Sequence, residues 1–212
     1  MKASNYKYLI AIIFIFFGEQ IAAEDRIVIN FESPPSLNQE AKLIQNIKNY
    51  NSVQSIENYL TQQNWIENFL IKSSFFGKFH QIFIQSKKPK YVWKDKFYID
   101  SQVSTFAYDG GYPDLIRLNM PLEYLTFWIK AENQYITLFN DLSLTIRSVG
   151  FQPAVGWYLI TSDALRVNLG DELSNDTYQK LSLTLKYMFE NNLTPSIIDL
   201  RYKAGAALNY GK

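Results

Sequence analysis

A single histidine, no cysteine and scattered carboxylates set narrow limits on the chemistry of this chain. Without cysteine there is no disulfide framework, no thiolate metal site and no thiol nucleophile. His80 would have to serve any serine triad alone, and it sits between Phe79 and Gln81 in a strand-like run. That setting reads as a sheet-surface side chain rather than a general base. Asp109 and the pair Asp171-Glu172 stand in loop-like sequence with no partner motif, so a hydrolase has no carboxylate pair or metal cluster to work with. No catalytic, metal or cofactor-binding residue is expected.

The stretch most able to do something is 197–210, Ile-Ile-Asp-Leu-Arg-Tyr-Lys-Ala-Gly-Ala-Ala-Leu-Asn-Tyr. Its first run puts Ile198, Leu200 and Tyr202 on one face of a strand and Asp199 and Arg201 on the other. Its second alternates Ala206, Leu208 and Tyr210 with Ala207 and Asn209. Gly205 supplies the backbone freedom of a turn between them. A half-buried strand near a chain terminus leaves a ladder edge, and an open edge accepts another protein's strand. The chemistry here is binding.

The elements that must position this stretch come from a chain long enough for one large or two small domains. The net charge of +1 supplies no field toward nucleic acid. Lys2 and Lys7 precede an apolar and aromatic run at residues 8–17, and no acid appears before Glu19. Basic residues on the near side hold that end in the cytoplasm and send the rest outward. The run is short against the ~20 residues of a spanning helix. Ile21-Ala22-Ala23 before Glu24 fits a cleavage site, so a signal peptide is favoured slightly over an anchor.

Beyond it the pattern predicts a strand from Arg26 to Phe31 and a loop at Ser33-Pro34-Pro35-Ser36. Asn38 is the expected cap of a helix bearing Leu43, Ile44 and Ile47. A second helix follows Ser52, with Val53, Ile56, Tyr59 and Leu60 on one face. Strands are expected at 66–75 and 80–85, turning near Gly77. The order is β-α-α-β-β. Lys87-Lys88-Pro89-Lys90 breaks the pattern as a solvated junction. A meander over 91–93, 97–99 and 103–106 is expected next, then a loop at 109–113 and a helix from Pro121 to about Asn140. Leu142, Leu144 and Ile146 alternate as a strand, and 156–160 with 165–169 form a hairpin. A helix then starts at Ser174 or Asp176, carries Tyr178, Leu181, Leu185 and Met188, and stops at Asn191-Asn192.

This layout resembles the bacterial cell-division family FtsQ, also called DivIB. Asp199-Leu200-Arg201-Tyr202, followed after two residues by Gly205-Ala206, matches the family's closing strand pattern. Asn64-Trp65-Ile66 resembles the "Pro-Trp-Ile/Val" at the end of its second helix. Pro89 with Trp93 resembles the "Pro-x-Ala-x-Trp" that opens its second domain. The stretch from Phe97-Tyr98-Ile99-Asp100 to Phe106 resembles a strand pair of that domain. Leu165-Arg166-Val167-Asn168-Leu169-Gly170 resembles the "L-x-L-x-L-G" strand before the last helix. Departures fall at Ser74-Phe75-Phe76-Gly77, where the family has a basic-aromatic-proline turn, and at Lys87-Lys88, where it has a glutamate. Ser101 to Thr105 lacks the family's glycine.

The resemblance implies an α+β protein with an N-terminal membrane segment, a POTRA-like β-α-α-β-β module and a mainly antiparallel β domain with flanking helices. The corresponding domains are 1–23 as membrane anchor or signal segment, 24–87 as POTRA-like domain and 88–212 as FtsQ-type β domain. It implies a non-enzymatic divisome scaffold at the septum, single-pass in the inner membrane with its body in the periplasm. Its implied partners are FtsB- and FtsL-like proteins and, through them, an FtsW/FtsI-like synthase of septal peptidoglycan. Carried onto this chain, the partner-binding residues are Arg201, Tyr202, Gly205 and Tyr210, with Lys180 near a basic position the family turns toward acidic partner residues. No cofactor, nucleic acid or small-molecule substrate is implied.

Each of these has a plainer reading. Arg201 can be a solvent-facing strand residue, Tyr202 and Tyr210 core packing, and Gly205 only a turn. A POTRA-type assembly chaperone would also work by strand addition, but it needs repeated modules or a barrel that the sequence lacks. A periplasmic hydrolase is the more distant alternative.

Overall fold

The computed structural model describes residues 10–12, 26–74, 79–203 and 205–211. Apart from 10–12, the expected anchor or signal segment lies outside the described residues, as does most of the turn at 74–77. Among the described residues no helix is long and apolar enough to cross a membrane.

In chain order the strands begin with β1 (Ile10–Ile12), β2 (Arg26–Ser33), β3 (Ile66–Ser73), β4 (Phe79–Ser86) and β5 (Pro89–Trp93). They continue with β6 (Phe97–Asp100), β7 (Thr105–Ala107), β8 (Ile116–Asn119), β9 (Ile146–Gln152) and β10 (Gly156–Thr161). The last three are β11 (Arg166–Gly170), β12 (Ile197–Asp199) and β13 (Ala207–Asn209). The helices are α1 (Leu37–Ile47), α2 (Val53–Thr61), α3 (Leu125–Asp141) and α4 (Asn175–Glu190). This is an α+β chain. It divides into two units, one of Met1–Pro89 with Tyr98–Pro113, the other of Lys90–Phe97 with Asp114–Lys212.

In the first unit the sheet order is β1-β2-β4-β3, with β2 parallel to β4 and β3 antiparallel to it. The connection between the parallel strands runs through α1, α2 and β3, since parallel strands cannot be joined by a tight turn. Ser36, and not Asn38, caps α1. Its Oγ accepts from Gln39 N at 3.1 Å while Gln39 Oε1 accepts from Ser36 N at 3.3 Å, a reciprocal capping box. Helix α2 follows Ser52 as expected, and Ser52 is its cap. Leu43 and Ile47 of α1, Ile56 and Leu60 of α2, and Ile82 and Ile84 of β4 are all buried.

Because side chains alternate along a strand, His80 shares the face of Ile82 and Ile84. It is buried, and its Nδ1 lies 2.8 Å from Ser73 Oγ. The expectation of a sheet-surface histidine is therefore wrong. Parity with Ile82 carried the opposite information. The segment after β7 closes on the start of α1. Asp109 Oδ1 accepts from Tyr98 OH at 2.8 Å and from Gly111 N at 3.0 Å, Oδ2 accepts from Ser36 Oγ, and Asn38 Nδ2 donates to Asp109 O at 3.0 Å. A carboxylate at a helix N-terminus is stabilised by the unpaired amides there.

In the second unit the strands run β13-β12-β11-β10-β9-β8-β5. Antiparallel pairs join β9 to β10, β10 to β11 and β12 to β13, while β5-β8, β8-β9 and β11-β12 are parallel. The helices explain the mixture. Helix α3 carries the chain from β8 to β9 and α4 from β11 to β12, each a crossover that returns the strand in the same direction. Trp128, Tyr135 and Phe139 of α3 and Leu181 and Leu185 of α4 are fully buried, as are Val149, Leu159, Val167 and Ile198 of the sheet.

The Leu142-Leu144-Ile146 alternation is not a strand along its length. Leu142 caps α3, Ser143 takes φ +58°, and Leu144 N returns to Phe139 O at 2.9 Å. The strand begins at Ile146. Strand β8 was not foreseen, although Ile116 and Leu118 carry the period-two signal.

Candidate docking edge at the carboxyl-terminal strands

Strand β12 lies parallel to β11 with Arg166 opposite Ile197, Val167 opposite Ile198 and Asn168 opposite Asp199. Strand β13 pairs back on β12 with Ile198 opposite Leu208. Among the described residues no strand pairs with the other side of β13, so it ends the sheet. The Asn209 carbonyl accepts from Ser196 N at 2.8 Å and from Ser196 Oγ at 3.1 Å, toward β12. In a strand the N–H and C=O of one residue share a side and successive residues alternate. The Leu208 N–H and C=O therefore point to the open edge.

Between these strands the chain leaves the ladder. Leu200 N donates to Asn168 O at 2.9 Å and the Leu200 side chain is buried, its last hold on the sheet. The expected continuation of the strand to Tyr202 does not form, so Tyr202 does not share the buried face of Ile198 and Leu200 and is 58% exposed. Gly205 takes φ +79°, with nothing within 4 Å of where a Cβ would stand. The glycine serves the left-handed backbone of the turn, not a close approach. Tyr210, just past β13, is 55% exposed. Neither tyrosine packs the core.

The two cationic residues are both engaged with the turn. Arg201 grips Asp199: Nε to Oδ1 at 2.9 Å, Nε to Oδ2 at 3.1 Å and Nη2 to Oδ2 at 2.6 Å. The Arg201 N–H also donates to Asp199 Oδ1 at 3.1 Å. The hydrogen bonds from Arg201 hold the Asp199 carboxyl below its ordinary range despite partial burial, with a side-chain bond from Asn168 adding to the effect. Asn168 Oδ1 in turn accepts from Arg166 Nε at 2.9 Å, and the Arg166 guanidinium sits 4.3 Å from the Tyr158 ring centroid. The Arg201 stem runs past Gly170, its Cγ 3.6 Å from where a Cβ on that glycine would stand. Lys180, in the second turn of α4, donates to Tyr202 O at 2.8 Å and to Leu200 O at 3.3 Å.

Arg201, Tyr202, Gly205 and Lys180 thus gather on or beside the β12-β13 turn, while Tyr210 stands past the other end of β13, beyond the Ile197-Asn209 pair. Sequence reasoning missed Asp199 and Asn168 as part of the arrangement. The signal was the shared strand face of Asp199 and Arg201. Among the described residues no group of three acidic or histidine side chains is placed to hold a metal ion.

No family model matches the chain. Among curated proteins it is similar to the cell division protein FtsQ of Aliivibrio fischeri, 19% identical over 166 residues that span 74% of this chain and 62% of that protein. It is also similar to the FtsQ of Vibrio cholerae, 24% identical over 139 residues that span 61% of this chain and 51% of that protein. The chain thus spans between half and two thirds of the length of these relatives. With the closing strand pair in place, the chain is similar to these two FtsQ proteins along most of its own length.

Proposed function

We propose that this chain is a non-enzymatic scaffold of bacterial cell division that receives an extended segment of a partner along β13. The observation that carries the reading is the open β13 edge, with the Leu208 amide and carbonyl directed outward beside exposed Tyr202, Tyr210 and Arg201. Backbone pairing supplies affinity in such a mode and alternate side chains supply selectivity. Likeness to two FtsQ proteins points to division as the process. The partners proposed are FtsB- and FtsL-like proteins, which would connect the chain to an FtsW/FtsI-like synthase of septal peptidoglycan.

The order β2-α1-α2-β3-β4, with β2 and β4 parallel, supports reading residues 24–87 as a POTRA-like module. Residues 88–212 are then the FtsQ-type β domain. Residues 1–23 would direct the body to the periplasmic side of the inner membrane, as anchor or as signal segment. Fractionation with and without them separates the two.

A pulldown of the full chain against the FtsB-like protein of its source organism tests the reading. Wild type is expected to retain the partner, and Arg201→Glu to release it. Leu208→Pro removes an N–H that β12 does not use, so it should abolish capture while leaving the thermal melt in place. Capture undiminished by a folded Leu208→Pro chain would end the strand-addition mechanism.

A further inference from the structure

Two side chains outside the docking strand hold the β12-β13 turn. Lys180 reaches from α4 to the carbonyls of Leu200 and Tyr202, and Asp199 fixes the Arg201 guanidinium through three side-chain hydrogen bonds. Asp199 is itself held at the end of the row that runs from Arg166 through Asn168. A lysine ammonium has three N–H donors, and two of those of Lys180 are given to the turn. Arginine has five, and the Nε and Nη2 edge of Arg201 is occupied by Asp199 while Nη1 is left clear of it.

From this geometry we infer that Lys180 and Asp199 are positioning residues, which set the turn and the Arg201 guanidinium before a partner arrives and do not themselves touch it. The inference rests on the strand-addition reading above and deepens it. A turn already in its binding conformation loses little conformational freedom on docking, and a guanidinium with one edge fixed offers the other in a set direction. Direct contact is then left to Arg201, Tyr202 and the β13 edge. A partner carboxylate placed against Lys180 would have to compete with two backbone carbonyls already bound there.

The role can be separated from direct contact by salt. A side chain that meets an opposite charge on the partner contributes to the ionic-strength dependence of binding, whereas one that only shapes the turn does not. With the full chain and the exported part of the FtsB-like protein as probe, Lys180→Gln and Asp199→Asn are each expected to weaken binding about tenfold. The salt dependence should stay that of wild type. In an Arg201→Ala background Asp199→Asn should have no further effect, the signature of a residue acting through another. A flattened salt dependence in Lys180→Gln, or additive losses for Asp199 and Arg201, would overturn the inference.

A readout without partner keeps the two proposals apart. Trypsin cleavage after Arg201 and Lys203 reports opening of the turn. It should accelerate in both variants at temperatures well below their melting transitions, and equal cleavage rates would refute positioning even if wild type binds. Failure of wild type to bind, with faster cleavage in the variants, would sink the division-partner reading and leave the positioning role standing.

Discussion

Glu132 is a carboxylate largely removed from water, and its two partners make that tolerable. It is 7% exposed and accepts from Lys90 Nζ and from the Tyr91 hydroxyl. Truncation leaves an ammonium and a buried phenol without their acceptor, and the orphaned partner is the larger part of the cost. Glu132→Ala is expected to lower the unfolding free energy by about 3 kcal/mol, read as a lower urea midpoint at unchanged slope. Glu132→Gln keeps an acceptor and should lose less.

Burial, and then Glu132, pushes the Tyr91 phenol up, as burial and Asp109 do for Tyr98 and burial and Tyr178 for Tyr135. These phenols hold their protons more tightly folded than unfolded. Their contribution to stability is complete below the unfolded value of 10.0 and is lost as pH rises through the folded values. Phenolate absorbance should therefore lag behind that of free tyrosine in alkali and then rise together with unfolding. At this scale the sequence was legible where parity decides, as for Asp199 and Arg201. It misled at His80, a polar residue on the same strand face as the buried Ile82.

The elements that were easy to read are those with both ends marked. Helix α4 has Ser174 at one end, its Oγ accepting from Thr177 N at 3.2 Å, and Asn192 in a left-handed turn at the other, with Leu181, Leu185 and Met188 buried between. The end of α3 carries no such mark. Leu142 and Leu144 look like the start of β9 because a helix that closes through an apolar residue leaves the same alternation as a strand. Likewise Tyr202 alternates with Leu200, but pairing stops at Asp199, where the Arg201 N–H turns back onto the Asp199 carboxylate.

The α1 cap is the element most open to test. Ser36→Ala removes the acceptor for Gln39 N and should cost about 1 kcal/mol, measured by thermal melting. Glycines give a second contrast. A Cβ on Gly156 would stand 2.3 Å from the carbonyl carbon and oxygen of Gly170, so Gly156→Ala should distort the β10-β11 pairing and cost more than the ~1 kcal/mol of backbone strain alone. Gly110→Ala, at φ +79° with open space, should cost only the strain. Acid acts on the closing turn. Asp199 has its carboxyl lowered in the folded chain, so its contribution persists above the ordinary carboxylate range and is lost as pH falls through the folded value. Cleavage of the turn by pepsin, an acid protease, should quicken below that point.

Across the whole molecule the balance of 21 basic and 20 acidic residues leaves no long-range field to steer a partner. Association with the FtsB-like probe should accordingly change in rate by less than about tenfold between low and high salt. A steep dependence would mean that local charges at the turn reach further than their pairing allows. The α+β class was visible in the order of elements. The return of Tyr98–Pro113 to the first unit was not, because it depends on Asp109 meeting Ser36 across more than seventy residues of sequence.

One arrangement has its consequence in time. Strand β13 occupies residues 207–209, and its partner β12 is reached only after α4 has crossed the sheet. A ribosome making this chain therefore completes the helices and inner strands before the proposed docking edge exists, since domains fold from the amino end as they emerge. A product released before Asn209 could fold most of its core yet have no seat to offer. Engagement by the partner would then report that translation had reached the end of the sheet.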